Sequence, residues 1–232
     1  MALVTCLFFS LSALAAEFTP IPYEKYQELL KLRDNQLKYQ ISTILKRRYN
    51  STGYKKAKEI IFKRLDRHDG KVCCVYENKC MKVSRVPDHK IMNVEHTWPQ
   101  SKGASGKAKS DLHHLFPTLS KVNSRRSNFP FCDVVKVNWQ GKFSRQGYDK
   151  KGHICFEAPR EHKGNIARAM FYFSVRYNIR IDRDEESVLK KWHILDPVDQ
   201  AEIDRNRKIY NYQKNSNIFV EHPELVKLVS DY

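Results

Sequence analysis

Apolar residues recur at helical spacing at both ends of this 232-residue chain, while between the ends they come only in short runs broken by glycine, proline and polar clusters. Residues 22–48 place Tyr26, Leu29, Leu30, Ile41, Ile44 and Leu45 on an amphipathic helical pattern. Asn50-Ser51-Thr52-Gly53 interrupts it, and a second helix over 54–66 carries Ala57, Ile60, Ile61 and Leu65. The C-terminal third repeats the period over 162–178, 182–193 and 197–212. The middle reads as short strands at Lys71–Tyr76, Lys79–Val83 and Asn93–Thr97, with a turn at His68-Asp69-Gly70. A small, basic, flexible loop spans 101–110, the apolar run 112–116 reads as a strand, and Pro117 admits a helix over 118–127. Residues 128–157 mix loops with strands such as Val135–Trp139, and neither repeats nor low-complexity tracts occur. Helical ends around a small β-rich middle make an α+β fold. The length suits one sizeable core, hence a single domain over 17–232 with a helical part at 22–66, a central part at about 90–130 and a helical part at 160–232.

The first sixteen residues, MALVTCLFFSLSALAA, carry no charge and end in the small-residue pattern Ala13-Leu14-Ala15. The run is too short to span a bilayer, so it reads as a secretory signal at 1–16, removed on export, with no membrane insertion afterwards. Five cysteines remain in the exported chain: Cys73, Cys74, Cys80, Cys132 and Cys155. An oxidising compartment favours one or two disulfides, and an odd count leaves at least one thiol free or paired between chains. The paired C-x-x-C spacing of a zinc ribbon is missing.

The charge balance is strongly basic, with 42 Lys plus Arg against 26 Asp plus Glu and a formal charge of +16. That excess draws polyanions, nucleic acid foremost, although solvated surface lysines alone would give the same count. Hydrolysing a phosphodiester needs a base for water, a cation against developing charge, and further cations to hold the polyanion. Residues 93–128 offer all three. His96 titrates near neutrality and suits the base. Glu95 and Asn123 are hard oxygen donors of the kind that suit Mg2+, Mn2+ or Ca2+. Lys102, Lys107, Lys109, Arg125 and Arg126 surround them in sequence as phosphate contacts. In a regular strand Glu95 and His96 face opposite sides, so both reach one phosphate only if the strand ends or twists there. Singly, each has a structural reading: a Glu-His pair on a surface, His113 and His114 as a strand's polar face, Asn123 on a helix surface.

The segments Asn93–Ser101 (NVEHTWPQS), Lys109–Pro117 (KSDLHHLFP) and Val122–Phe131 (VNSRRSNFPF) resemble, in order and spacing, the signature of the bacterial endonuclease I family. The likeness continues in Gly164–Ala169, Tyr172-Phe173, Asp204-Arg205-Asn206 and Asn215–Val220, so it runs from about residue 40 to the C-terminus. The family consists of secreted or periplasmic nucleases with a ββα-metal (His-Me finger) site. The resemblance implies that His96 is the general base and that Glu95 and Asn123 hold a divalent ion, usually Mg2+. Arg126 matches a recurrent arginine of the family and is read as orienting the site or contacting phosphate, or else as a purely structural salt bridge. Sequence-tolerant cutting of DNA, and often RNA, is implied with it, by a protein read as a monomer. Family members carry a longer, cysteine-rich insertion with an arginine near the scissile phosphate. Here that insertion shrinks to residues 101–110, where Lys102, Lys107 and Lys109 are the available cations. Two rival readings need less. A non-catalytic, basic nucleic-acid-binding protein uses the charge but not His96, Glu95 and Asn123 together. A zinc-stabilised element would use the histidines structurally.

Overall fold

The computed structural model describes residues 21–232 apart from Arg48; the signal segment read at 1–16 lies outside them. The N-terminal helical pattern is realised as two helices, α1 (Tyr23–Leu30) and α2 (Asp34–Lys46), where the spacing predicts one over 22–48. Asp34 sits at φ 46° and turns its carboxylate to Ser230, accepting from its backbone N and Oγ at 2.7 Å each. Docking to the C-terminal tail thus breaks the helix where periodicity gives no sign. Helix α3 (Tyr54–Ile60) starts from Gly53 at φ 72°, a conformation that favours glycine, and runs into a π-helical turn over Ile61–Leu65.

The β-rich middle forms three small antiparallel sheets. Strands β1 (Arg67–His68), β2 (Lys71–Cys73) and β3 (Cys80–Lys82) make the first. Asp69 and Gly70, at φ 49° and 76°, close the β1–β2 hairpin with the two left-handed residues such a two-residue loop requires. A disulfide joins Cys73 to Cys80 across the β2–β3 pair. Among the described residues strand β4 (Met92–His96) pairs only with β5 (Leu115–Leu119), and helix α4 (Ser120–Arg126) follows at once. Strands β6 (Lys136–Gln140), β7 (Arg145–Tyr148) and β8 (Ile154–Glu157) make the third sheet, tied to the preceding loop by Cys132–Cys155. Cys74 stays a free, buried thiol, accepting from Leu119 N at 3.2 Å.

The expected strand at 112–116 is corrected: Leu112–His114 form a 3-10 turn and the strand begins at Leu115. Asp111 caps that turn by accepting from His113 N, and this local bond competes with extension. Pro117 is tolerated inside β5 because the ribbon has only two strands and its carbonyl accepts from Val75 N at 3.1 Å. The basic loop 101–110 is likewise more ordered in shape than a flexible linker: it holds turns at Gln100–Lys102 and Ala108–Ser110 and buries Ala104 and Ala108.

Helices α5 (Lys163–Tyr177), α6 (Arg183–Leu195), α7 (Gln200–Gln213) and α8 (Ile218–Glu221) complete the chain. Helix α5 is the axis: of its fifteen residues only Asn165 and Tyr177 are not buried. Buried apolar residues from Ile21 to Tyr232 join it in one core. A bidentate pair from Arg168 to Glu202, at 2.8 and 2.5 Å, links α5 to α7. No helix among the described residues is long and apolar enough to cross a membrane.

Glu221 gives the fold a pH dependence. Its Oε2 is buried without a partner, and burial, against hydrogen bonds from Ser216 and Asn206, pushes its carboxyl up from 4.5 to about 8. The native state therefore holds a proton that the unfolded chain releases, so this contribution is full below the ordinary value and is lost as pH rises towards about 8. Glu221→Gln should flatten the fall in stability between about pH 5 and pH 8, where the wild type loses up to about 1.4 kcal/mol per pH unit from this group. Denaturant midpoints across that range check this; parallel curves would show the carboxyl ionised in the native state.

Candidate active site

Strand β4 ends at His96, and its last two side chains part to opposite sides as strand geometry demands. The groups touching one are absent from the set touching the other. Glu95 is buried: Tyr76 Oη donates to its Oε1 at 2.9 Å, and Arg126 Nε stands 2.8 Å from the same oxygen, off the hydrogen-bond line. Burial pushes the Glu95 carboxyl up, while Arg126 and Tyr76 oppose that rise. No hydrogen bond among the described residues uses its Oε2. Asn123, on α4, donates its amide to Asn93 Oδ1 at 2.8 Å and to Val94 O at 3.4 Å. Its own Oδ1 is likewise unengaged among the described residues. Two hard oxygens, one from the ribbon and one from the helix behind it, suit a hard divalent ion that keeps several waters. No group of three or more His, Cys, Asp or Glu that could hold a metal occurs among the described residues, and the zinc-stabilised reading would need such a cluster.

His96 lies on the other side of β4. Its Nε2 is 3.0 Å from the Lys109 carbonyl. A carbonyl only accepts, so Nε2 carries the proton and Nδ1 keeps the lone pair. Gln100 Nε2 stands 3.4 Å from Nδ1, and the Tyr54 ring lies 5.3 Å from the imidazole. Burial first, then the neighbouring His114 and the Lys109 ammonium, pull His96 down to about 3, so the imidazole is neutral in the fold. A neutral ring with one nitrogen tied back and one lone pair directed can accept a proton, but burial makes it a far weaker base than the near-neutral imidazole that the sequence predicts.

The Lys109 carbonyl is fixed by a buried polar hub. Asp111 is fully buried and accepts from Tyr172 and Tyr177 at 2.8 Å each, from Gln213 at 3.0 Å and from His113 N, with Arg176 Nε 3.2 Å away. Burial works to raise its carboxyl, but His113, Arg176, His114 and Gln213 together hold it below the ordinary range. His114 bonds the Ala108 carbonyl at 2.8 Å and packs edge-on against Phe173, on which Trp98 also stacks at 4.8 Å. From α7, Arg205 donates to the carbonyls of Leu112 and Leu115 while paired with Asp66. The histidines read as a strand's polar face are thus buried and pin the loop.

The remaining sequence candidates divide by exposure. Lys102, Lys107 and Arg125 are exposed, and Lys109 is half-buried against Tyr54. Arg126 is 0% exposed and closes on the carbonyls of Thr97, Ser127 and Phe129, so it faces Glu95 rather than solvent. Sequence reasoning passed over Tyr54, Tyr76 and Gln100. Tyr54 and Tyr76 belong to segments far from the motif in sequence. Asp111 stood in the sequence only as part of the segment Lys109–Pro117.

The sequence profile of the family described as Endonuclease I matches residues 33–224, and the chain belongs to that family. It is 33% identical over 153 residues to an extracellular ribonuclease of Bacillus subtilis (strain 168), covering 57% of this chain and 51% of that protein. It is 34% identical over 116 residues to an extracellular deoxyribonuclease of Aeromonas hydrophila, covering 48% of each. An Endonuclease-1 of Buchnera aphidicola (subsp. Acyrthosiphon pisum, strain APS) is 34% identical over 111 residues, covering 48% of this chain and 44% of that protein. The chain thus spans about half the length of the curated relatives it matches.

Removing the Arg126 side chain leaves the Glu95 carboxylate buried beside no cation and three carbonyls without a donor. Arg126→Ala should lower stability by about 3–5 kcal/mol, read from chemical denaturation near neutral pH. A loss below about 1 kcal/mol would mean that water reaches Glu95 freely.

Proposed function

We propose that this protein is an exported, divalent-metal-dependent endonuclease that hydrolyses phosphodiester bonds in DNA, and in RNA, with little sequence preference. The observation that carries the reading is the His96 ring, held in one tautomer by the Lys109 carbonyl at the end of a strand whose preceding residue offers a carboxylate oxygen. His96 Nδ1 takes the proton from the attacking water. Glu95 Oε2 and Asn123 Oδ1 hold the metal, Mg2+ in the first place with Mn2+ or Ca2+ able to bind. When bound, such an ion supplies Lewis acidity to the phosphate and charge stabilisation to the leaving oxygen. Arg126 orients Glu95 from within the core. The exposed Lys102, Lys107 and Arg125 contact backbone phosphates, which carry no base identity, and this supports sequence tolerance. Relatives named as ribonuclease and as deoxyribonuclease support both substrate classes, and their extracellular names support export. Residues 17–232 acting as one nuclease unit, as a monomer, belong to the same proposal.

Cleavage of supercoiled DNA and of RNA, with Mg2+ and with chelator, tests it. His96→Ala should cut at least about 100-fold more slowly while folding and DNA binding persist, the loss expected for a general base. Near-wild-type cutting by that variant would overturn the mechanism. Glu95→Ala and Asn123→Ala should shift the metal titration and lower activity together; an unmoved titration removes them from the ligand set.

A further inference from the structure

Helix α3 brings two more groups to the His96 side of the ribbon. Tyr54 and Lys58 share one helix face, four residues apart. The Tyr54 ring stands 5.3 Å from the His96 ring. Lys58 Nζ lies 5.2 Å from the centre of the Tyr54 ring, and Lys109 Nζ lies 5.0 Å from it. No carboxylate among the described residues pairs with either ammonium. Two half-buried cations without a carboxylate partner at one aromatic ring leave positive charge that an anion would compensate. The arrangement is also braced. Tyr49 Oη reaches the Lys107 carbonyl at 3.3 Å and Ser51 Oγ meets Ser110 Oγ at 3.1 Å, so the segment leading into α3 is fastened to the loop that carries Lys109.

We infer that Lys58, Tyr54 and Lys109 form a subsite that holds a backbone phosphate of the nucleic acid next to the one cleaved. The two ammonium groups stand one aromatic ring away from the imidazole, which places their phosphate beside the reacting one. The Tyr54 ring holds both cations by its face and flanks His96. Lys109 serves twice, its carbonyl on His96 Nε2 and its ammonium at the subsite. The inference rests on the nuclease reading of His96 and extends it to the N-terminal helical part.

Binding of a short DNA duplex, measured in the His96→Ala background across a salt series, tests it. Each lost phosphate contact lowers the slope of log K against log salt by about 1. Lys58→Ala and Lys109→Ala should each lower it, and the double variant should lower it by about 1, the one phosphate of the subsite, with unchanged melting temperature. Lys109→Ala retains its carbonyl, and Lys58→Met keeps an unbranched stem without the charge, so both spare the fold. In the active enzyme Lys58→Ala should raise KM several-fold with kcat within about twofold, as loss of uniform binding does. Lys25→Ala, on α1 and paired with Glu28, should alter nothing. Slopes unchanged in Lys58→Ala and Lys58→Met overturn the subsite even if His96 proves essential. Cleavage that survives His96→Ala fails the catalytic reading and leaves the slopes to be read on their own.

Discussion

The buried Asp111 carboxylate is the contact on which the site geometry rests. Tyr172, Arg176 and Tyr177 approach it from α5 and Gln213 from the end of α7, while its own backbone opens the turn that carries His113 and His114. A buried carboxylate this well satisfied rigidifies what surrounds it, and what surrounds it is the loop 107–114. That loop lays one carbonyl on His96 and one on His114. The His96 geometry is therefore set from the helical core outward, through backbone, rather than by side chains reaching into a cleft.

A second buried pair works from the other side of β4. Arg126 and Glu95 are both almost wholly enclosed, and a pair of this kind is costly to break and of uncertain net worth to stability. Its retention makes sense if Glu95 has to point one oxygen away from Arg126. The two networks, Asp111 to His96 and Arg126 to Glu95, meet along β4 and at Thr97, whose carbonyl accepts from Arg126 and whose N donates to the His114 carbonyl. Alternation along β4 puts the proposed base on one side and the proposed metal-holding oxygens on the other, and both stand at the strand's end.

Much of this was legible in the sequence. The helices over Lys163–Tyr177, Arg183–Leu195 and Gln200–Gln213 follow from apolar period, and the Asp69-Gly70 turn follows from residue type. Glu95, His96 and Asn123 stood out because hard donors and an imidazole gather near lysines within a short span. The break between α1 and α2 was not legible, since it depends on Ser230 at the far end of the chain. The strand start at Leu115 was missed because a side-chain cap from Asp111 outweighs the apolar run that follows it. Tyr54, Lys58 and Tyr76 escaped for one reason: their roles come from packing across long sequence separations, and no spacing rule reports that. The short loop at 101–110 left open which cations flank His96, and α3 brings Lys58 to the Tyr54 ring that stands beside it.

The central claim is that the protein fixes the His96 ring before substrate arrives, with the proton on Nε2 and the lone pair on Nδ1. The 15N chemical shifts of the His96 ring, resolved by comparison with His96→Ala at a pH near 8, measure this directly. The account predicts a neutral Nε2–H tautomer with Nδ1 at the shift of an unprotonated nitrogen. An Nδ1–H tautomer, or fast averaging between the two, would contradict it.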